Sequence, residues 1–133
     1  MSVGPELKIF PFLVVNDALN AVDFYIKAFG AAEQERFTNQ GRTVSRISIG
    51  QSEFWIGDEE PEFDNLSPLT IGASPVRIVL TTPNPEAIFA SALEYGATQM
   101  CPVTVEESWK IGKLKDPYGH IWEIGCPVED ILQ

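Results

Sequence analysis

The sequence predicts an α+β fold of two βαβββ modules, each with a curved mixed β-sheet, set around a cleft. Two observations on the chain and one physical requirement lead there. The order of strand-like, helix-like and turn-like segments runs β-α-β-β-β twice. The two halves also superpose. Gly30 and Gly96 stand 66 residues apart, so that Phe29-Gly30-Ala31 falls on Tyr95-Gly96-Ala97 and Ala21-Val22 on Ala87-Ile88. At an offset of 68, Phe54-Trp55-Ile56 falls on Trp122-Glu123-Ile124. A unit this short cannot bury its own sheet, so the modules must pair, either within one chain or across a homodimer with shared sheets and two clefts. The 133 residues therefore form one domain, with modules over 7–58 and 75–126 joined by a loop over 59–74. Two sheets set side by side leave a cleft, which is where a ligand is expected.

The elements follow in order. Leu7–Val15 is rich in strand formers, and Pro11, which has no N–H to give a ladder, marks an edge or a bulge. Asn16 or Asp17 caps a helix over Ala18–Phe29 whose stripe is Ala18, Val22, Tyr25 and Phe29. Lys27 suits its last turn and Gly30 its exit. Ala32–Thr38 turns at Asn39–Gly41 into Thr43–Ile49, and Gly50–Ser52 turns into Glu53–Gly57. Asp58–Ser74 has no period and holds Pro61, Pro68 and several acids, so it reads as a linker or flap. Val76–Thr82 is the next strand. Asn84, Pro85 and Glu86 then start a helix with Ile88, Ala92 and Tyr95 as its apolar stripe. Thr98–Val105 and Trp109–Lys115 are strands, and Val128–Gln133 is a tail.

The last strand enters through DPYGHIWEI, Asp116–Ile124. Asp116 and Pro117 suit the first turn positions and Gly119 a left-handed exit. Glu123 is a carboxylate inside an apolar strand, which is costly unless the group is paired or bound. Trp122 has the opposite parity and belongs under the helices.

Nine basic and 19 acidic residues give a net charge of −10. Nucleic acids and anionic membranes need basic patches, so neither is an expected partner. No apolar run reaches the ~20 residues that span a bilayer. The first ten residues lack the basic-then-apolar order of a secretory signal, and a cytoplasmic protein is expected. Cys101 and Cys126 read as free buried thiols without metal spacing. The acids at 58–62 and at Glu106–Glu107 read as solvated loops.

Four stretches carry a family resemblance: PFLVVNDALNAVDFYIKAFGA (Pro11–Ala31), IGQSEFWIGDE (Ile49–Glu59), SPVRIVL (Ser74–Leu80) and DPYGHIWEI. Through them the chain resembles the vicinal oxygen chelate superfamily of glyoxalases, bleomycin resistance proteins and dioxygenases, and within it the PhnB-like branch. The resemblance implies the glyoxalase/bleomycin resistance fold, and a homodimer is expected. In metal-dependent members, four strand positions carry histidine or glutamate, and the metal acts as a Lewis acid. Here those positions fall near Phe10, on Trp55 (with Glu53 two residues away), on Val76 or Arg77, and on Glu123. Only Glu123 matches the pattern, so no metal or other cofactor is expected.

The residues expected to bind a ligand are Arg46, Glu53, Trp55, Arg77, Trp109 and Glu123. Glu53 and Trp55 share parity. Arg46 is a charge on a mid-sheet strand that either pairs with Glu53 or meets a ligand carboxylate, and Glu123 is expected to meet Arg46 or Arg77. Aromatic walls among acids suit a small aromatic or cationic compound. His120 reads as a turn residue with its ring in water. The expected function is binding of such a compound in the inter-module cleft without a complete metal site. A metal-dependent lyase, isomerase or dioxygenase is the alternative.

Overall fold

Asp17 stops the first strand and starts the first helix. Its backbone is extended, and its carboxylate accepts a hydrogen bond from the N–H of Asn20 at 3.1 Å. This meets one of the unpaired donors that open any helix. The helix, α1, runs Ala18–Phe29 and ends at Gly30, whose φ of 71° is the left-handed exit glycine allows. All four expected stripe residues are buried. The protein is described over residues 6–128 in a computed structural model. The expected tail over 128–133 lies outside the described residues beyond Val128.

Strand β1 is Phe12–Val15, shorter than the expected Leu7–Val15. Pro11 cannot donate, but its carbonyl accepts from the N–H of Trp55 at 2.9 Å, so the ladder begins one residue later. Strands β2 (Ala32–Asn39), β3 (Arg42–Ile49) and β4 (Ser52–Asp58) complete a sheet ordered β1-β4-β3-β2. β1 and β4 are parallel and the other pairs antiparallel. Ser45, Ile47, Phe54 and Ile56 are buried on the helix side. Asp58 is not in a solvated loop. One carboxylate oxygen accepts from Ala18 N–H and the other from Thr43 N–H, both at 2.8 Å, tying the start of α1 to β3.

The segment expected as a linker is ordered. It holds a 3-10 turn at Pro61–Phe63 and a short helix, α2, at Pro68–Ile71. Glu59 accepts from Ser67 N–H at 2.7 Å and from the Thr70 hydroxyl at 2.5 Å. The bonds from Ser67, then Thr70, hold its carboxyl below the usual carboxylate range. α2 lies on the turn before the last strand: a Cβ on Gly119 would meet Pro68 at 2.8 Å.

The second half repeats the plan with β5 (Arg77–Thr81), α3 (Pro85–Glu94), β6 (Thr98–Glu106), β7 (Trp109–Lys115) and β8 (Ile121–Pro127). Its sheet is ordered β5-β8-β7-β6. Asn84 caps α3, accepting from Ala87 N–H. The expected stripe needs correction. Tyr95 is 44% exposed because the helix ends at Glu94, and Phe89 is buried in its place. Gly112 makes that possible, since a Cβ there would stand 2.8 Å from the Phe89 ring. Cys126 is buried as expected, but Cys101 is exposed on β6, the outer strand of its sheet.

One core serves both halves. Trp122 of β8, only 1% exposed, inserts among aromatic residues of the first module. Its ring lies 4.7 Å from Phe29, 5.6 Å from Tyr25 and 5.9 Å from Phe54, centroid to centroid. Such contacts add to area burial when rings meet edge-on or tilted. Beneath this seam sits the carboxylate of Asp116, buried and, among the described residues, without a cationic partner. It accepts from the Tyr25 hydroxyl, from Trp122 Nε1–H at 2.9 Å, and from Tyr118 and His120 N–H at 2.9 and 3.0 Å. The DPYGHIWEI stretch therefore organises the core through Asp116.

Candidate functional site

Each sheet has one face under a helix and one face turned away, and the chemistry collects on the second. In the first sheet, Arg46 stands opposite Glu35 on β2 and opposite Trp55 on β4, so the three share a face. Glu53, two residues before Trp55, joins them. Arg46 bonds Glu35 through Nε at 2.9 Å and Glu53 through Nη1 at 2.9 Å. Those bonds, Glu35's first, lift its already high pKa further, so it is a fixed cation held between two anions. Its guanidinium carbon is 5.9 Å from the Trp55 ring centre, within cation–π reach. Phe37 stacks beside Trp55 at 6.3 Å and 25°. Phe37 is 54% exposed and Phe12, the β1 partner of Trp55, 50%. The face is thus an aromatic platform with two carboxylates and one guanidinium at its edge.

In the second sheet, Arg77 Nη1 meets Glu123 at 3.2 Å. Glu123 is therefore paired across β5 and β8, and Trp122 beside it points the other way, as parity requires. Between β1 and β5 runs a groove of about 480 Å³ whose walls include Phe12, Val76, Arg77, Val79 and His120.

Of the six expected ligand residues, Arg46, Glu53 and Trp55 meet on one sheet, and Arg77 and Glu123 meet on the other. Trp109 stands apart at the start of β7, opposite Glu106 and Pro127. His120 is not in water. It is 9% exposed, and its Nε2 lies 2.8 Å from the carbonyl oxygen of Val14. The turn from Asp116 carries the ring inward against β1, so it links the two modules. Phe12, Glu35 and Phe37 escaped the sequence reading. Pairing β2 with β3 by register would have found Glu35 and Phe37, since both face the Arg46 side.

The four family metal positions do not make a donor set. Phe10, Trp55 and Val76 offer no lone pair of the needed kind, and Arg77 is a permanent cation. The two nearby acids, Glu53 and Glu123, are each engaged by a guanidinium. Among the described residues, no three His, Cys, Asp or Glu side chains gather in a way that could hold a metal ion. The residues present do not fit the metal that the resemblance implies.

Two mixed four-stranded sheets with their helices on one side define a protein of the glyoxalase/bleomycin resistance fold. A glyoxalase/bleomycin resistance protein/dioxygenase family enzyme from Burkholderia phytofirmans superposes with a TM-score of 0.72 at 19% identity, over 89% of this chain and 96% of that one. FosX, a fosfomycin resistance protein from Listeria monocytogenes, superposes with a TM-score of 0.70 at 14% identity over the whole of both chains. These likenesses show the vicinal oxygen chelate fold. In sequence, the uncharacterized protein Mb0911c of Mycobacterium bovis is 33% identical over 138 residues, spanning 98% of this chain and 90% of its own length. The chain belongs to the family of that mycobacterial protein. No family model matches it. No helix among the described residues is long and apolar enough to cross a membrane.

Proposed function

We propose that the protein binds a small aromatic compound, cationic or neutral, in the inter-module cleft without a bound metal. One observation carries the reading: the half-exposed Phe12–Phe37–Trp55 platform edged by Arg46, whose charge two carboxylates more than balance. Flat rings gain area and quadrupole attraction on such a surface, and the excess acid favours a cation. The metal-dependent alternative has no comparable support, because the acids it needs are held by arginines. Within the superfamily we place the chain in the PhnB-like branch on Pro11–Ala31 and DPYGHIWEI, and we take its setting to be cytoplasmic.

The test is a titration of the purified protein with a bleomycin-type glycopeptide, followed by tryptophan fluorescence and calorimetry. Saturable quenching is expected. Trp55→Ala should weaken binding at least tenfold, about 1.4 kcal/mol, while Trp109→Phe leaves affinity unchanged. A flat response at high micromolar ligand counts against the reading.

The same reading includes a homodimer. β1 and β5 are both edge strands, and Val79 on β5 and Val76 just before it are 53% and 63% exposed. Unpaired edges with apolar side chains invite a second chain. Light scattering is expected to give twice the chain mass, and Val79→Glu to return the monomer. A monomer for the native chain at high micromolar concentration overturns this part.

A further inference from the structure

We propose a second site, for an oxyanion on an apolar body, in the cavity between α2 and the outward face of the second sheet. The inference stands whether or not the Trp55 platform binds anything. The cavity measures about 430 Å³, enough for a small organic ligand. Its walls include Arg77, Lys113 and Lys115 together with Ile121, Met100 and Leu69.

Sheet register puts the charges there. Lys115, Ile121 and Arg77 form one rung across β7, β8 and β5. Lys113, Glu123 and Val79 form the next rung on the same face. Three cations thus stand around Glu123, with Glu106 lining the hollow on the far side of Lys113, in a chain whose net charge is −10. Glu123 is engaged by Arg77, and among the described residues neither Lys113 nor Lys115 joins an ion pair. Like charges on neighbouring strands repel, and the repulsion is relieved by a bound anion.

The cover is built as well. The bonds of Glu59 to Ser67 and Thr70 fix α2, and Gly119 lets α2 settle on the turn below it. Gly119 has φ of +94°, so any side chain there meets both backbone strain and a clash with α2. Leu69, Met100 and Ile121 then leave an apolar surface beside the cations. A carboxylate or phosphate placed on the lysines would lay its hydrocarbon part there.

The test uses the full chain at low salt, with benzoate, phenyl phosphate and the neutral control benzyl alcohol as probes, read by calorimetry and amide chemical shifts. One or both anions are expected to bind one to one, with shifts confined to the α2 segment, the turn at 116–121 and the cavity-lining parts of β5, β6 and β7. Whichever anion binds more tightly names the head group. Lys113→Gln with Lys115→Gln should weaken that binding at least tenfold, and the double arginine variant should keep it. Trp55→Ala should leave it unchanged, which separates this site from the aromatic platform. Equal binding of benzyl alcohol, equal affinity in the folded double glutamine variant, or no saturable binding at millimolar probe overturns the proposal. Should the glutamine variant fail to fold by circular dichroism, Arg77→Gln is read in its place, with a severalfold loss supporting the site and unchanged affinity overturning it.

Discussion

Replacing Asp116 by alanine is expected to destabilise the fold by about 4 kcal/mol, seen as a fall in the urea midpoint at unchanged m-value. Four donors converge on this buried carboxylate: the Tyr25 hydroxyl, the Trp122 indole N–H, and the backbone N–H groups of Tyr118 and His120. Each buried donor left without a partner costs roughly 1–3 kcal/mol, and relaxation or an entering water recovers part of the sum. Asp116→Asn keeps one acceptor oxygen but turns an NH₂ toward donors, so about half the loss is expected. Tyr25→Phe should cost less still, about 1–2 kcal/mol, since three donors stay paired. The order Ala, Asn, then Tyr25→Phe is the content of the prediction, and an alanine variant no worse than Tyr25→Phe would sink it. The same contact sets a pH limit. Burial first, and Asp116 second, push the Tyr25 phenol well above its ordinary value. A raised folded pKa gives stability that is complete below the unfolded value of about 10 and declines above it, where only the unfolded chain ionises. Stability should therefore fall in alkali for the native protein and less steeply for Tyr25→Phe.

Asp116 also marks where sequence reading ran out. Periodicity and capping located α1 to the residue, because Asp17, the 3.6-residue stripe and Gly30 are local signals. Strand alternation placed Trp122 under the helices and Glu53 with Trp55, because side-chain direction in a strand is also local. The role of Asp116 is not local: its tyrosine donor lies 91 residues away. Nor is that of His120, which meets a carbonyl 106 residues away. A turn signal such as Asp-Pro-Tyr-Gly tells how the chain bends, not what its carboxylate will find after bending. The 59–74 segment reads as a linker or flap for a related reason, since its order rests on Glu59 and on a landing place at Gly119. On the site, parity within one strand was legible and register between strands was not. Arg46 and Trp55 could thus be named while Glu35 and Phe37, which reach the same face through a bulged β2, were missed.

Trp122→Ala is the variant expected to part the two modules. Removing a buried tryptophan costs about 3–5 kcal/mol, and here it also strips one donor from Asp116. Its particular effect lies in where it inserts. Trp122 belongs to the second sheet, yet the rings around it, Tyr25, Phe29 and Phe54, belong to the first module. The seam ties the modules more than it ties either sheet. Ile47→Ala is the matched control: Ile47 is buried beneath α1 beside its cross-strand neighbour Phe54, so its loss of about 2–5 kcal/mol removes neither the indole nor a donor to Asp116. Both variants are destabilised, but only Trp122→Ala should lose two-state behaviour, with far-ultraviolet dichroism and tyrosine fluorescence reporting different midpoints. Coincident transitions in Trp122→Ala would place the coupling elsewhere, in the α1–α3 contact or the His120–Val14 bond. Trp122 holds β8, the neighbour of β5, against the first module, so its loss is expected to change the width of the groove between β1 and β5. Trp122→Ala should therefore weaken ligand binding at the cleft even though its side chain faces away from it, and Ile47→Ala at matched loss of stability should not.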